Sequence, residues 1–332
     1  MAAKTETQLI EEMQSILQTK MEKDYQKGNT KRDAHPKSLG MLKASFKIME
    51  NLPKELKIGV FEQPKIFKAW IRFSSSNGAV QSDKKKDFRG IGIKLLGIEG
   101  ERFTNFETQS QDFILLSHPT MPLGTVQLFR DVVYYSAKWN PLVLLLNFVV
   151  RGKAGILKEL QGGQKNQTSP LDIRYWSETP YKFGDRKVKY KIVPTSKFQS
   201  TLPNELTDDY LTFNMQNHLH QESATFDFCI QFFKDETQTP IEDASIEWKK
   251  EVSPFIKVAE LEIPMQEFNT PERFELAEQY SFSIANSLTA HHPIGGLNRA
   301  RTIIYRSLSK FRHKRNNKKL KEPLLSEFEG EK

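Results

Sequence analysis

Seven separated stretches of this chain carry the alternation or the short apolar run of a β-strand, and they limit what it can fold into. They are residues 42–48, 68–75, 89–96, 111–118, 188–193, 225–233 and 255–263. Helical patterns flank the series. At the start, Leu9, Ile10, Met13, Ile16, Leu17 and Met21 recur at helical spacing within a mostly polar arm, residues 1–30; at the end, 271–287 and 297–314 read as helices. Strands in the middle with helices packed around them make an α+β chain. With 332 residues a large core is available, and no repeat or composition break demands a second domain. The organisation expected is an arm over 1–30, one main domain over 31–313, and a charged tail over 314–332 that frays.

Charge and cysteine usage narrow the setting. The formal charge of +8 suits nucleic acid, anionic lipid or an acidic substrate, and no nucleic-acid recognition motif accompanies it. Cys229 is the sole cysteine, so no internal disulfide forms; it lies in an alternating stretch, Thr225 to Phe233, as an inert packed thiol. The first residues lack the apolar core of a signal peptide, so a cytoplasmic location is expected. Between Trp139 and Arg151 the apolar run is too short to span a bilayer, which needs about 20 residues. A buried helix or a channel wall is the first reading of 142–150. An interfacial segment flanked by Lys138, Arg151 and Lys153, in contact with lipid, is the second.

Several residues carry chemistry. In the helix over 297–312, Arg301 and Tyr305 stand one turn apart, and Arg312 lies further along nearly the same stripe. A guanidinium favours the ionised form of a nearby phenol, and a phenolate is an anionic metal ligand of the kind that holds haem iron. A basic amphipathic helix whose Tyr merely packs is the alternative. His35 sits just before the first strand, three residues after Arg32 and beside Pro36, which keeps it out of a helix. Arg72 and Ser74 share a face of the second strand, which suggests a polar site there. Residues 82–90 form a charged turn.

Taken together in order, these pieces resemble the catalases, and specifically short catalase-related haem proteins, over roughly residues 30–313. The residues that carry the resemblance are Arg32 and His35 before a strand, Arg72-Phe73-Ser74, Asp87-Phe88-Arg89-Gly90, the stretch from Ser177 to Gly184, and Asn298 with Arg301, Tyr305 and Arg312. It implies an antiparallel β-barrel with helices around it and a proximal helix near the C-terminus. It also implies a haem b cofactor. Tyr305 would ligate the iron with Arg301 supporting its charge, and Arg32, Arg72 and Arg312 would pair with the propionates. His35, oriented by Ser74, would be the acid-base catalyst, and the family suggests homo-oligomers.

One departure bears on activity. Catalases place an Asn beside the distal His, whereas here the corresponding stretch, Thr108 to Phe113, has none; Gln109 and Gln111 are the candidates to supply the amide. The resemblance also implies a chain without the outer elaborations of a full catalase, and so a haem more open to large molecules. A haem enzyme acting on organic or fatty-acid hydroperoxides, as a peroxidase or by rearranging them, is therefore the first expectation. A weak true catalase and a non-catalytic haem- or lipid-binding protein remain beside it.

Overall fold

A computed structural model of the chain describes residues 4–104, 109–139 and 141–330. In chain order its elements are α1 (Glu6–Asp24), β1 (Ser38–Ile48), β2 (Ile66–Ser75), β3 (Arg89–Leu96), β4 (Ser110–Leu116), α2 (Val126–Lys138), α3 (Pro141–Val150), α4 (Ala154–Gly163), β5 (Tyr175–Trp176), β6 (Tyr181–Phe183), β7 (Arg186–Pro194), α5 (Tyr210–Gln221), β8 (Ala224–Phe232), β9 (Phe255–Ile263), α6 (Pro271–Gln279), α7 (Gly296–Arg315) and α8 (Leu325–Gly330).

All strand pairings between these elements are antiparallel. The order runs β5-β4-β3-β2-β1-β9-β8-β7-β6, and β5 also pairs with β7. That last pairing, Tyr175 with Ile192 and Trp176 with Lys191, closes eight strands into a barrel and leaves β6 as an extra strand on β7. Closure removes the open edges that a sheet of this size would otherwise expose. The alternation that marks β1 explains its place. Leu42, Ala44, Phe46 and Ile48 are buried, while Lys43, Ser45 and Lys47 are at least partly exposed. Aromatic rings fill the interior: Phe46 meets Phe228 edge-on at 5.0 Å, and Phe113 lies 4.9 Å from both Phe228 and Tyr190. Each fully buried Phe is worth about 2–3 kcal/mol of transfer free energy.

A second core lies outside the barrel. Leu9, Ile10, Met13, Leu17 and Met21 of α1 pack with Val126 of α2 and with Leu297, Ala300, Ile304 and Leu308 of α7. The arm is therefore seated on its own chain, and its start is fixed by a capping box between Thr5 and Gln8. The tail departs from expectation. α7 continues to Arg315, Glu322 pairs with the fully buried Lys94, and Phe328 of α8 packs edge-on against Trp70 at 5.2 Å. These partners are distant in sequence, so residues 314–330 look like a loose tail only when read locally; residues 331–332 lie outside the described residues. The helix expected over 271–287 ends at Gln279. There the backbone N–H of Ser283 donates instead to Asp112 on β4. α3 forms a helix as expected, but much of its surface is exposed, so it is neither a core helix nor a channel wall.

Candidate functional site

β1, β2 and β3 carry one half of the site. His35 precedes β1 with φ 57°, a left-handed conformation rather than the extended one expected beside Pro36. The Arg72 Nη2 donates to the His35 carbonyl at 2.9 Å and holds that turn in place. The imidazole then lies over β3: His35 Nδ1 is 3.0 Å from Ser74 Oγ, and a Cβ on Gly90 would come within 2.7 Å of the ring. Gly90 is thus required by close approach. Burial, followed by the charges of Arg72, Arg301 and Arg32, lowers the His35 pKa from 6.5 to about 3. The ring is neutral through the physiological range.

α7 carries the other half. Its apolar stripe faces α1, which turns Arg301, Tyr305 and Arg312 onto a neighbouring stripe. The helix starts after Gly295, at φ 86°, where a Cβ would lie 2.5 Å from the Ile241 carbonyl. Arg301 Nε donates to the Tyr305 hydroxyl at 3.3 Å, and its Nη1 donates to Thr179 Oγ1 at 2.9 Å and to Asn298 Oδ1 at 3.2 Å. The Arg301 pKa stays raised: burial opposes this, while Tyr305 and Tyr181 outweigh it. Because the Arg301 charge also acts on the His35 ring, the two halves belong to one constellation.

Three guanidiniums close it. Arg32 and Arg312 each approach Glu278 Oε2 of α6 at 3.4 Å; Arg32 Nη2 also donates to the Tyr280 carbonyl at 2.8 Å, and Arg312 Nη1 to the Glu278 carbonyl at 2.8 Å. Arg72 is 5% exposed, and its Nε has no hydrogen-bond partner among the described residues. One carboxylate is shared among three cations. Burial and then Arg32 push the Arg312 pKa down to about 9, and burial with Arg32 also drives that of Arg72 well down. Burial alone would raise the Glu278 pKa, but Arg32, Arg72, Lys31 and Arg312 hold it below the usual carboxylate value. Surplus buried positive charge of this kind is costly unless an anion shares it.

The two glutamines expected to supply an amide do not stand beside His35. The strand register sets Leu116, not Gln111, level with Gly90; Gln111 pairs with Leu95, five residue pairs along the ladder. The Gln111 side chain is buried, accepts from Leu288 N at 2.9 Å and donates to the Asp112 carbonyl. Gln109 is exposed just before β4, and Thr108 lies outside the described residues. Sequence reading missed Glu278, whose place depends on a helix docking far from its strand neighbours. It also missed Glu178, buried at φ 57° near Arg301 and Lys189, whose pKa burial raises to about 8. Cys229 is buried, and burial lifts its thiol to about 11, so it is no nucleophile at neutral pH. A cavity of about 530 Å3 lined by Met49, Leu52, Leu56, Arg186, Phe232 and Ile256 holds none of the site residues.

No family model matches the chain, and no curated protein matches it by sequence. Solved structures do match. A fungal catalase superposes with a TM-score of 0.65 at 16% identity, over 85% of this chain and 59% of that one. A bacterial catalase gives 0.67 at 16% identity, over 89% and 60%. Catalase A from Saccharomyces cerevisiae gives 0.68 at 15% identity, over 85% and 61%. The chain has the catalase fold. It spans about three fifths of the length of these catalases. The eight-stranded barrel and the surrounding helices are thus the catalase arrangement, and no helix among the described residues is long and apolar enough to cross a membrane. Among those residues there is also no cluster of three His, Cys, Asp or Glu suited to a metal ion. What the described residues do offer is a phenol backed by a guanidinium, with three further guanidiniums suited to carboxylates.

Proposed function

We propose that this chain is a haem-dependent enzyme acting on hydroperoxides. The observation that carries the reading is the shared site itself. A Tyr-Arg pair on α7 and a neutral His-Ser pair on the barrel meet three guanidiniums that share a single carboxylate. Haem b fits those residues. Tyr305 would ligate the iron, and Arg32, Arg72 and Arg312 would take the propionates, meeting the unpartnered Arg72 Nε and offsetting the surplus charge. A haem bound there would supply the electrons for O–O cleavage.

The protein's own part is proton handling and orientation. Arg301 donates to the Tyr305 oxygen and so orients the phenol; Thr179 and Asn298 fix that guanidinium. His35 is neutral, so it has no proton to shed first, and its lowered basicity means that a proton taken up in the reaction is readily passed on. In the tautomer whose Nδ1–H donates to Ser74 Oγ, Nε2 would take the proton from one peroxide oxygen and return it to the leaving oxygen. Among the described residues no side-chain amide is hydrogen-bonded to it, and a His without one favours an organic hydroperoxide, reduced or rearranged, over fast disproportionation of hydrogen peroxide. Weak catalase activity is the second reading, favoured by the same His-Ser pair.

The test is turnover of hemin-reconstituted protein with hydrogen peroxide and with a fatty-acid hydroperoxide in parallel. Faster loss of the fatty-acid hydroperoxide, with little oxygen evolved from hydrogen peroxide, supports the first reading. Rapid oxygen evolution would replace it with the second, and stoichiometric haem binding without turnover of either would leave a haem-binding protein.

A further inference from the structure

α3 carries an unpartnered apolar face on a positively charged surround. Leu142, Leu145, Leu146, Val149 and Val150 are 44–85% exposed and follow one another at three- and four-residue spacing, so they form a single stripe. Trp139, just before the helix, is 56% exposed. On the opposite side Phe148 is 1% exposed, and the main contacts of α3 are with α2 and α4. Isolated exposed Leu side chains are ordinary on protein surfaces, but five in one stripe on a ten-residue helix are not.

The charge around the stripe identifies what covers it. From residue 132 to residue 158 the sequence has no Asp or Glu, and Lys138, Arg151, Lys153 and Lys158 bracket the helix. The nearest acid before that span, Asp131, is buried and already paired with Arg130 and Arg151. Protein-protein interfaces are depleted in Lys. Two copies of this chain meeting face to face on α3 would bring six lysines together, beside two arginines already paired with Asp131, with no acid from residues 132–158 between them. A Trp at the margin of an apolar stripe flanked by Lys and Arg is instead the pattern of a helix lying in a membrane interface. Ten residues are too few to cross the bilayer, so α3 would lie along its surface.

We propose that α3 seats this protein on anionic lipid bilayers, with the Leu142 to Val150 stripe in the acyl boundary and Lys138, Arg151, Lys153 and Lys158 among the headgroups. This seating does not depend on haem.

The experiment is co-sedimentation of the full chain with vesicles of phosphatidylcholine alone and of phosphatidylcholine mixed with phosphatidylglycerol, together with light scattering without lipid. At least about tenfold more protein is expected on the anionic vesicles, with binding reduced by salt. Replacing two of the three exposed leucines, Leu145→Asp with Leu146→Asp, should cut that binding at least about tenfold while circular dichroism is unchanged, and Lys138→Glu with Lys153→Glu should weaken it too. The proposal is overturned if the unaltered chain pellets with neither vesicle or if the leucine variant binds as well as it does. A lipid-free dimer that the leucine variant converts to monomer would also overturn it, by showing that a second copy covers the stripe.

Discussion

Three neighbours act on one imidazole. Ser74 takes up Nδ1 of His35, the Arg72 guanidinium fixes its carbonyl, and Gly90 leaves the space its ring fills. Gly90→Ala should therefore displace the ring without touching α7. We predict at least a tenfold fall in kcat with haem content unchanged, measured by turnover alongside the absorption spectrum. The lowered pKa of His35 sets a pH dependence whose sign follows from proton linkage. Below pH about 6.5 the unfolded chain's imidazole takes up a proton that the folded one refuses until about 3. The unfolded state thus binds more protons in that window, and His35 costs stability as pH falls through it. Thermal unfolding across the window should show that His35→Asn loses less stability on acidification than the unaltered chain. A steeper loss in the variant would show that His35 is charged in the folded protein.

At the scale of elements, the site depends on docked helices. α6 brings Glu278 to the three arginines, and α1 holds α7 in place from the far side. Glu278→Gln leaves three cations without a carboxylate. Since that side chain is 23% exposed, we predict a destabilisation of about 2 kcal/mol in the haem-free protein, less than the roughly 3–5 kcal/mol of a fully buried pair. Hemin should restore much of the lost melting temperature, because its propionates would supply the missing charge. Met13 of α1 is fully buried in the outer core, and Met13→Ala should cost roughly 2–5 kcal/mol in denaturant unfolding.

The same contrast explains what the sequence could and could not convey. β3 falls at residues 89–96 as read, and β9 at 255–263, because each strand's pattern reports a barrel wall directly. α2 and α5 are less legible, since polar residues share their buried faces: Asp131 on α2, and Thr212, Gln216 and His218 on α5. The helical reading of 271–287 overshoots Gln279, and beyond it Ser281 and Ser283 bond instead to Glu322 and Asp112, residues distant in sequence. His35, Ser74, Arg72, Arg301 and Tyr305 could be named from short spacings. Glu278, Gly90 as a spacer and the commitment of Gln111 to Leu288 depend on tertiary placement, which no local pattern carries.

As a whole, the molecule sets a closed barrel beside a helical layer, with the candidate site where α7 meets the barrel wall. The barrel interior is filled by aromatic side chains, so the site belongs to the outside of the wall, where the charges of Arg72 and of Arg301, the partner of Tyr305, both act on His35 from elements far apart in sequence. The central claim is that this convergence holds haem through Tyr305. Its most direct test is a hemin titration of the unaltered chain, His35→Ala and Tyr305→Phe, followed by absorption spectroscopy. One haem per chain with a high-spin ferric phenolate spectrum is predicted for the first two, and loss of that spectrum with most of the affinity for Tyr305→Phe. The same spectrum and affinity in all three would contradict iron ligation by Tyr305.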